Sequence, residues 1–220
     1  MKNHLKARSA PRTWNIPRKE NTFITRPNSG SQKLEMTFPL GNLLKTIGLG
    51  NTTKEINYIL RNSQVLVNGV RRWDVRFGVG FQDVVSLPDA KKHVILTLDE
   101  QGRLTAENVD EKHANAKLAQ VRGASKVAGN KLQLHLSDGR NIFVDKPVKA
   151  GSTVTVSVPE SKIKSVHAVE PKAYVILTSG KHRGSRGTIE AIDGDFVTVK
   201  TKEGSISTKK SYAFVLGGHQ

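Results

Sequence analysis

Positive charge is concentrated in one glycine-rich stretch near the end of the 220-residue chain, TSGKHRGSRGTIEAI at 178–192. Its cationic residues are Lys181, His182, Arg183 and Arg186, and its glycines are Gly180, Gly184 and Gly187. The glycines have a structural explanation, because tight turns require residues that tolerate positive φ. The cations contribute nothing to a turn, but they neutralise phosphates, and arginine can bind a phosphate in a bidentate manner. The stretch therefore predicts a loop that contacts an anionic partner.

The sequence does not support enzyme or metal chemistry. Its seven histidines are scattered, and none pairs with another ligand type at a known metal-binding spacing. Cysteine is absent, and neither GxxxxGK[ST] nor GxSxG occurs. Asp193 and Asp195 flank Gly194, which is typical of a turn between strands. We therefore predict no catalytic site, no cofactor and no metal.

The overall charge predicts a polyanionic partner. The chain carries 35 Lys and Arg against 19 Asp and Glu, a net charge of +16. Nucleic acid is the first candidate. An anionic membrane surface is disfavoured, because the sequence has no apolar run of 18 residues and no long basic amphipathic helix. The start, MKNHLKARSAPR, lacks the apolar core of a signal peptide, and we expect a cytoplasmic protein.

Charge divides the chain into four segments. Residues 1–38 carry eight basic and two acidic residues, and 39–98 carry eight and four. Residues 99–170 carry eleven and nine, and 171–220 carry eight and four. Because the third segment is nearly neutral, we predict that the other three contact the polyanion more than it does.

The first segment, 1–38, reads as a basic N-terminal arm. It has three of the eight prolines, no hydrophobic period and few apolar residues, so it cannot bury enough surface to fold alone. We expect it to become ordered on its partner, with a flexible basic tail as the alternative. Trp14, Phe23 and the arginines at 12, 18 and 26 favour the arm, because aromatic rings and guanidinium groups stack on unpaired bases.

The second segment, 39–98, predicts two helices, a hairpin and a strand. PLGNLLKTIGL has helical spacing ending at Gly48, and Thr52 to Glu55 forms a capping box before INYIL. Asn68-Gly69 is a strong hairpin-turn signal, and DVVSL at 83–87 is a strand.

The stretch TTKEINYILRNSQVLVNGVRRWDVRFGVGFQDVVSL resembles the S4-type RNA-binding domain. In that family the second helix and the start of the hairpin form a basic face that grips RNA. The matching positions here are Lys45, Lys54, Arg61, Asn68, Arg71 and Arg72. Arg76 adds a further cation to the same hairpin region.

The third segment, 99–170, predicts a small β domain. A hairpin is expected around Glu100-Gln101-Gly102, and a short helix within 110–121. KLQLHLSDGRNIFV alternates apolar and polar residues and turns at Asp138-Gly139, and STVTVSV at 152–158 adds a strand.

The fourth segment, 171–220, predicts four or five short strands with glycine turns at 194 and 204, whose even spacing suggests a small barrel. Val175, Gly180, Gly184, Gly187 and Ile189 resemble the KOW motif of ribosomal proteins and transcription elongation factors. That resemblance implies an SH3-like barrel whose loop binds RNA or protein, with Gly187 at a crowded bend.

The four segments in this order resemble the archaeal and eukaryotic small-subunit ribosomal protein S4e family. HLKARSAPRTW and RPNSGSQKLEMTFPL are its most distinctive stretches, although Ser31-Gln32 stands where many members carry Pro-His. Cytosolic eukaryotic members run past the barrel, whereas this sequence ends at VLGGHQ, which favours an archaeal member. The resemblance implies an α+β, mostly β chain that scaffolds small-subunit ribosomal RNA beside neighbouring ribosomal proteins, without enzyme activity.

Two alternatives stay open at this point. One is a transcription or translation factor whose KOW module binds RNA transiently. The other is an RNA-modifying enzyme, which would need an embedded catalytic domain. The resemblance and the charge together give a set of candidate RNA-binding residues, namely Lys2, His4, Lys6, Arg8, Arg12, Trp14, Arg18, Arg26, Lys33, Lys45, Lys54, Arg61, Asn68, Arg71, Arg72, Lys181, His182, Arg183 and Arg186.

Overall fold

The computed structural model describes residues 4–217 except 128, 130 and 203. The chain divides into two compact units. The first contains Met1–Thr97 and Arg103–Lys117, and the second contains Leu98–Gly102 and Leu118–Gln220. The α+β, mostly β composition agrees with the sequence prediction.

Three α-helices lie in the first unit, α1 (Leu40–Thr46), α2 (Thr53–Asn62) and α3 (Glu111–Ala114). The first two match the predicted helices. Gly48, with a φ of +82°, follows α1, and α2 begins with the predicted capping box between Thr52 and Glu55. The third is the short helix predicted within 110–121, and it ends early because the chain enters a strand at Ala116.

Nine strands lie wholly or mostly in the described part of the first unit. They are β1 (Leu5–Lys6), β2 (Phe23–Ile24), β3 (Thr37–Pro39), β4 (Leu66–Val67), β5 (Val70–Arg71), β6 (Gly78–Gly80), β7 (Val84–Leu87), β8 (Lys92–Leu98) and β9 (Leu104–Asn108). The largest sheet has the order β5-β4-β7-β8-β9, and β1-β2 and β3-β6 form two-stranded sheets. Asn68 and Gly69, at φ of +50° and +74°, form the predicted turn between β4 and β5.

Part of the N-terminal segment is built into the first unit, which differs from the predicted arm. Trp14 is only 2% exposed and packs edge to face against Phe38, with ring centroids 5.4 Å apart. Its indole Nε1 donates to the carbonyl of Leu34 at 3.3 Å, and the Leu104 N–H donates to the Thr13 carbonyl at 2.6 Å. The apolar content of the segment is low, but its few large side chains have partners elsewhere in the unit.

The middle of the chain forms a five-stranded sheet, mostly in the second unit, in which the β10–β11, β11–β12 and β13–β14 pairs are antiparallel. Its strands are β10 (Ala116–Val127), β11 (Lys131–Leu136), β12 (Asn141–Val144), β13 (Thr153–Ser157) and β14 (Ile163–His167), in the order β12-β11-β10-β13-β14. The predicted alternation of β11 is confirmed, because Leu134 and Leu136 are buried in the core with Val121 and Val154. Strand β14 was not predicted, since only Ile163 and Val166 interrupt its polar sequence.

A second five-stranded sheet contains β15 (Tyr174–Leu177), β16 (Arg186–Asp193), β17 (Phe196–Thr201), β18 (Gly204–Lys209) and β19 (Ala213–Val215). The order is β18-β17-β16-β15-β19, and all the pairs are antiparallel. Buried valines, leucine and isoleucine on one face form its core, including Val175, Ile189 and Val199. The predicted strands and glycine turns of this segment are confirmed.

Candidate nucleic-acid interface

A basic and aromatic surface, exposed at Arg61, Val70 and Trp73 and half-buried at Arg71 and Arg72, lies beside the β4–β5 hairpin. We call it the hairpin face. It is formed by Arg61, Val70, Arg71, Arg72 and Trp73. The turn at Asn68-Gly69 makes the two short strands possible, and Arg72 and Trp73 directly follow β5. Trp73 is 58% exposed and Val70 is 42% exposed, which is unusual for large apolar side chains.

Two consecutive arginines, Arg71 at the end of β5 and Arg72 after it, lie against aromatic rings. The guanidinium carbon of Arg71 is 5.4 Å from the Trp73 ring centroid, and that of Arg72 is 4.5 Å from the Phe77 centroid. Arg71 also donates through Nη2 to the carbonyl of Arg61 at the end of α2, at 3.2 Å. These contacts restrain long flexible cations, and a restrained cation loses less entropy when it binds a phosphate.

Helix α2 contributes a second group of exposed side chains. Lys54, Tyr58 and Arg61 are exposed, and Tyr58 is 70% exposed. Lys45 on α1 donates to the Thr53 hydroxyl at 3.1 Å, so its ammonium lies at the start of α2.

The capping box fixes the beginning of α2. The Glu55 carboxylate accepts hydrogen bonds from the N–H of Asn51 at 2.9 Å and from the Thr52 hydroxyl at 2.8 Å. The bond from Asn51, together with those from Thr52 and the nearby Lys45 charge, lowers the pKa of Glu55 below its usual value. The carboxylate is therefore kept ionised at the start of the helix that carries Lys54.

Asn68 has a different role from the one predicted. It is 9% exposed, its amide donates to Asp83 at 2.9 Å, and its carbonyl oxygen accepts from the Val84 N–H at 3.1 Å. Asp83 also forms an ion pair with Lys117 at 2.5 Å, whose side chain is 3% exposed. Asn68 therefore supports the turn from inside and is not available to RNA.

The N-terminal segment presents a row of exposed side chains, the cations Lys6, Arg8 and Arg12 and the imidazole of His4. Lys2 lies outside the described residues. Phe23 pairs with Lys6 across the β1–β2 sheet and is 54% exposed, with the His4 ring edge-on at 5.5 Å. This ring is available for stacking, whereas Trp14 is buried against Phe38 and leaves the set of candidate RNA contacts.

The Arg18 side chain bonds to the protein backbone and does not face outward. Its guanidinium donates to four backbone carbonyls of the same segment, the shortest being those of Pro11 at 2.6 Å and Ala10 at 2.8 Å. It therefore fixes the path of residues 7–11. Arg26 is half-buried, and its carbonyl accepts from Arg76 Nε at 3.1 Å, while Lys33 is exposed.

The glycine-rich stretch forms a compact loop between β15 and β16, which we call the basic loop, residues 178–185. Gly180 and Gly184 have φ of +91° and +90°, as predicted. Gly187 lies inside β16, where a Cβ would overlap the carbonyl oxygen of Lys200, so close approach and not positive φ explains it. Within the loop, the Gly184 N–H donates to the Leu177 carbonyl at 2.7 Å.

The tip 98–102 of the β8–β9 hairpin belongs to the same unit as the basic loop and lies against it. A Cβ on Gly184 would overlap the Asp99 carbonyl oxygen, and Gly102 lies beside the Arg183 stem. Arg186 donates to the Leu98 carbonyl at 3.3 Å. Arg186 therefore has a structural contact that the sequence did not indicate. His182, Arg183 and Arg186 are half-buried, whereas Lys181 is exposed.

Sequence reasoning missed three features of these surfaces. Tyr58 and Trp73 were not proposed as ligands, although an aromatic residue next to Arg71-Arg72 is the signal that could have identified Trp73. Gln32, at the Ser31-Gln32 departure from the family pattern, exchanges two hydrogen bonds with the Phe81 backbone, at 2.9 and 3.1 Å. The Gln32 amide therefore holds the segment before β3 against Phe81, the residue that follows β6.

Two other kinds of site receive no support in the described part of the chain. No group of three or more His, Cys, Asp or Glu side chains there could hold a metal ion. None of the helices described is long and apolar enough to cross a membrane.

Comparison with known proteins gives consistent matches along the chain. A family model described as Ribosomal family S4e matches residues 90–163, and one described as the RS4NT (NUC023) domain matches residues 1–35. The chain is similar to small ribosomal subunit protein eS4 of Methanosphaera stadtmanae, with 38% identity over 97% of this chain and 92% of that protein. The corresponding protein of Archaeoglobus fulgidus is 34% identical over 97% of this chain and 93% of that protein.

A solved structure shows the same similarity. It is the crystal structure of the 30S ribosomal protein S4e from Thermoplasma acidophilum, with a TM-score of 0.68 and 31% sequence identity. The match covers 83% of this chain and 94% of that one.

Proposed function

The chain belongs to the ribosomal S4e family, and from that premise we propose that it is a structural component of the small ribosomal subunit that binds and scaffolds small-subunit ribosomal RNA. Nearly full-length similarity to eS4 proteins is the observation that carries this proposal. In this role the protein is a part of the ribosome, contacts neighbouring ribosomal proteins and catalyses no reaction.

The domain layout is part of the same proposal. Residues 1–38 would form a basic N-terminal segment, 39–98 an S4-type RNA-binding domain, 99–170 a central β domain, and 171–220 an SH3-like KOW barrel. The helix–helix–hairpin order of α1, α2, β4 and β5 supports the second assignment. The five consecutive antiparallel strands β15–β19, with a basic loop between the first two, support the fourth.

Three surfaces supply the RNA contacts in this proposal: the N-terminal cations, the hairpin face and the basic loop. A-form RNA hides base edges in its deep major groove, so these cations recognise phosphates and shape, while Tyr58, Trp73 and Phe23 stack on unpaired bases. Trp14, Arg18 and Asn68 position these surfaces without contacting RNA, and Arg186 holds the end of the basic loop against residues 98–102.

The dependence of RNA affinity on salt tests the number of phosphate contacts. Each neutralised phosphate contributes a slope of about −0.7 to −0.9 to the logarithmic plot, so six or more contacts predict a slope steeper than about −4. The measurement uses the full chain and ribosomal RNA of its own small subunit. A slope of −1 or −2 would contradict the multi-surface account.

Charge reversal at exposed cations tests which surfaces contribute. We expect Arg61→Glu and Lys181→Glu each to weaken RNA affinity at least 5-fold, since each replaces an attraction to phosphate by a repulsion. Lys164→Glu, an equal charge change at an exposed position on β14, is the control. Equal losses in all three variants would show that only net charge matters and would remove the assignment of specific surfaces.

A further inference from the structure

A cavity of about 450 Å³ lies in the first unit between the N-terminal segment and helix α1. We call it the amide cavity, because three asparagines line it: Asn15, Asn21 and Asn42. Its volume is within the range of small-molecule sites, which is about 300–1,000 Å³. Neither the hairpin face nor the basic loop includes it.

Lys45 in the lining donates to the Thr53 hydroxyl, whereas the asparagine amides, exposed at Asn15 and Asn21 and half-buried at Asn42, are the polar groups open to a ligand. Among the described residues, no group hydrogen-bonds the side-chain amides of Asn15, Asn21 or Asn42. Each amide offers a carbonyl oxygen as acceptor and an NH₂ group as donor. Amides of this kind match the mixed donors and acceptors of a nucleobase edge, as in the pairing of asparagine with adenine.

The apolar part of the lining suits a flat ring. Ile16, Pro17 and Phe23 contribute to it, and Phe23 is 54% exposed. Unpaired RNA bases are recognised by stacking on such rings combined with hydrogen bonds to the base edge.

The remaining charge in the lining is positive. Lys45 lines the cavity, and none of the lining residues is acidic. A phosphate attached to the bound nucleoside would therefore find an ammonium beside it and no carboxylate in the wall to repel it.

The wall of the cavity is also fixed in advance. Arg18 donates to the carbonyl of Ala7 in the lining at 3.4 Å, and the β1–β2 pair holds Phe23 opposite Lys6. A preformed wall lowers the entropy cost of binding a ligand.

We propose that the amide cavity receives one unpaired nucleotide of the RNA, with its base stacked on Phe23 and hydrogen-bonded by the asparagine amides. The proposal rests on the proposed function, because it requires an RNA partner. It adds hydrogen bonds to the base edge, from the asparagine amides, to the stacking already proposed for Phe23.

Ultraviolet crosslinking of the full chain bound to its small-subunit RNA, followed by mass spectrometry, tests this directly. We expect a mononucleotide adduct on Phe23 in the wild type. Asn42→Leu should reduce this adduct and weaken RNA affinity about 10-fold, within the range that one recognised base contributes. Leucine is a good helix former, so this variant should keep the stability of α1.

Two matched variants make the outcome specific. Asn57→Leu changes another half-buried helical asparagine outside the cavity and should leave the adduct unchanged, whereas Phe23→Ala should remove it. Phe143→Ala, an equally exposed aromatic in the second unit at 60% exposure, controls for loss of an aromatic ring.

The possible failures are distinguishable. Adducts only at other positions, or a crosslink from Phe23 to a protein, would overturn the cavity proposal while leaving RNA binding intact. An equal effect of Asn42→Leu and Asn57→Leu would also overturn it. Absence of any RNA binding by the folded protein would instead overturn the proposed function.

Discussion

At the scale of single residues, Asn68 links the hairpin face to the interior of the first unit. Its amide bonds to Asp83, which in turn holds Lys117 and the Gly80 N–H. The hairpin that presents Arg71 is therefore supported by a buried polar network. Such networks stabilise one geometry when every member is satisfied, and they are costly to interrupt.

Asn68→Ala should destabilise the protein by about 2–3 kcal/mol, because it leaves the buried hydrogen-bonding groups of Asp83 and Val84 unsatisfied. It also places alanine at a positive φ, where a Cβ is unfavourable. Asn68→Gly should cost less, since glycine tolerates the same φ. Urea unfolding measures both changes. Lower RNA affinity at unchanged stability would contradict this structural role.

The two tryptophans show what the sequence could and could not predict at this scale. Both stand near arginines, yet Trp14 is 2% exposed and Trp73 is 58% exposed. The burial of Trp14 depends on Phe38 and on the pairing of its neighbour with Leu104, which no local pattern indicates. The exposed lysines and arginines were predictable from charge alone, because ordinary cations without partners stay at the surface.

At the scale of elements, the basic loop depends on the close approach of another backbone. Gly184 and Gly180 share almost the same positive φ but differ in surroundings. At Gly184 a Cβ would overlap the Asp99 carbonyl oxygen, whereas at Gly180 the nearest atoms are 3.5 Å away on Tyr212. Substituting these two glycines therefore distinguishes the free-energy cost of a positive φ from the cost of steric overlap with a neighbouring backbone.

Gly180→Ala should cost about 1–2 kcal/mol, the usual penalty for a Cβ residue in the left-handed region. Gly184→Ala should cost clearly more, because backbone has to move in addition. Thermal unfolding with both variants measures the difference. Equal losses would contradict the close packing of the loop on residues 98–102.

Acid should weaken the start of helix α2. The pKa of Glu55 is lower in the folded than in the unfolded state, so its contribution is present above the ordinary value of 4.5 and is lost as pH falls through the lower folded value. Glu55→Ala should therefore destabilise the protein at pH 7 and have a smaller effect near pH 3. Urea unfolding at both pH values provides the measurement, with Glu20→Gln as a control at an exposed position. A difference from the wild type that is the same at both pH values would contradict the ionised cap.

Elements with local signals were predictable, and elements defined by distant pairing were not. The capping box, the Asn-Gly turn and the alternation of β11 each specify their structure within a few residues. Strand β14 pairs with its neighbour β13, but its mainly polar sequence has no alternation that marks a strand. The short pairs β1–β2 and β3–β6 have no local signal, because their partners lie far along the chain. The amide cavity belongs to the same class, since its walls come from separate segments.

At the scale of the whole molecule, charge and family membership support the same interpretation. The net charge of +16 is carried mainly by segments that include the N-terminal cations, the hairpin face and the basic loop. A protein that holds folded RNA through several surfaces should remain bound when any one of them is weakened. Its retention on the subunit should therefore exceed what any single surface provides.

The most direct test of the central claim is sedimentation of a tagged copy, expressed in its own cells, through a sucrose gradient after a high-salt wash. The account predicts stoichiometric co-migration with the small ribosomal subunit. Migration at the top of the gradient would contradict a structural role in the subunit and would favour a factor that binds RNA only transiently.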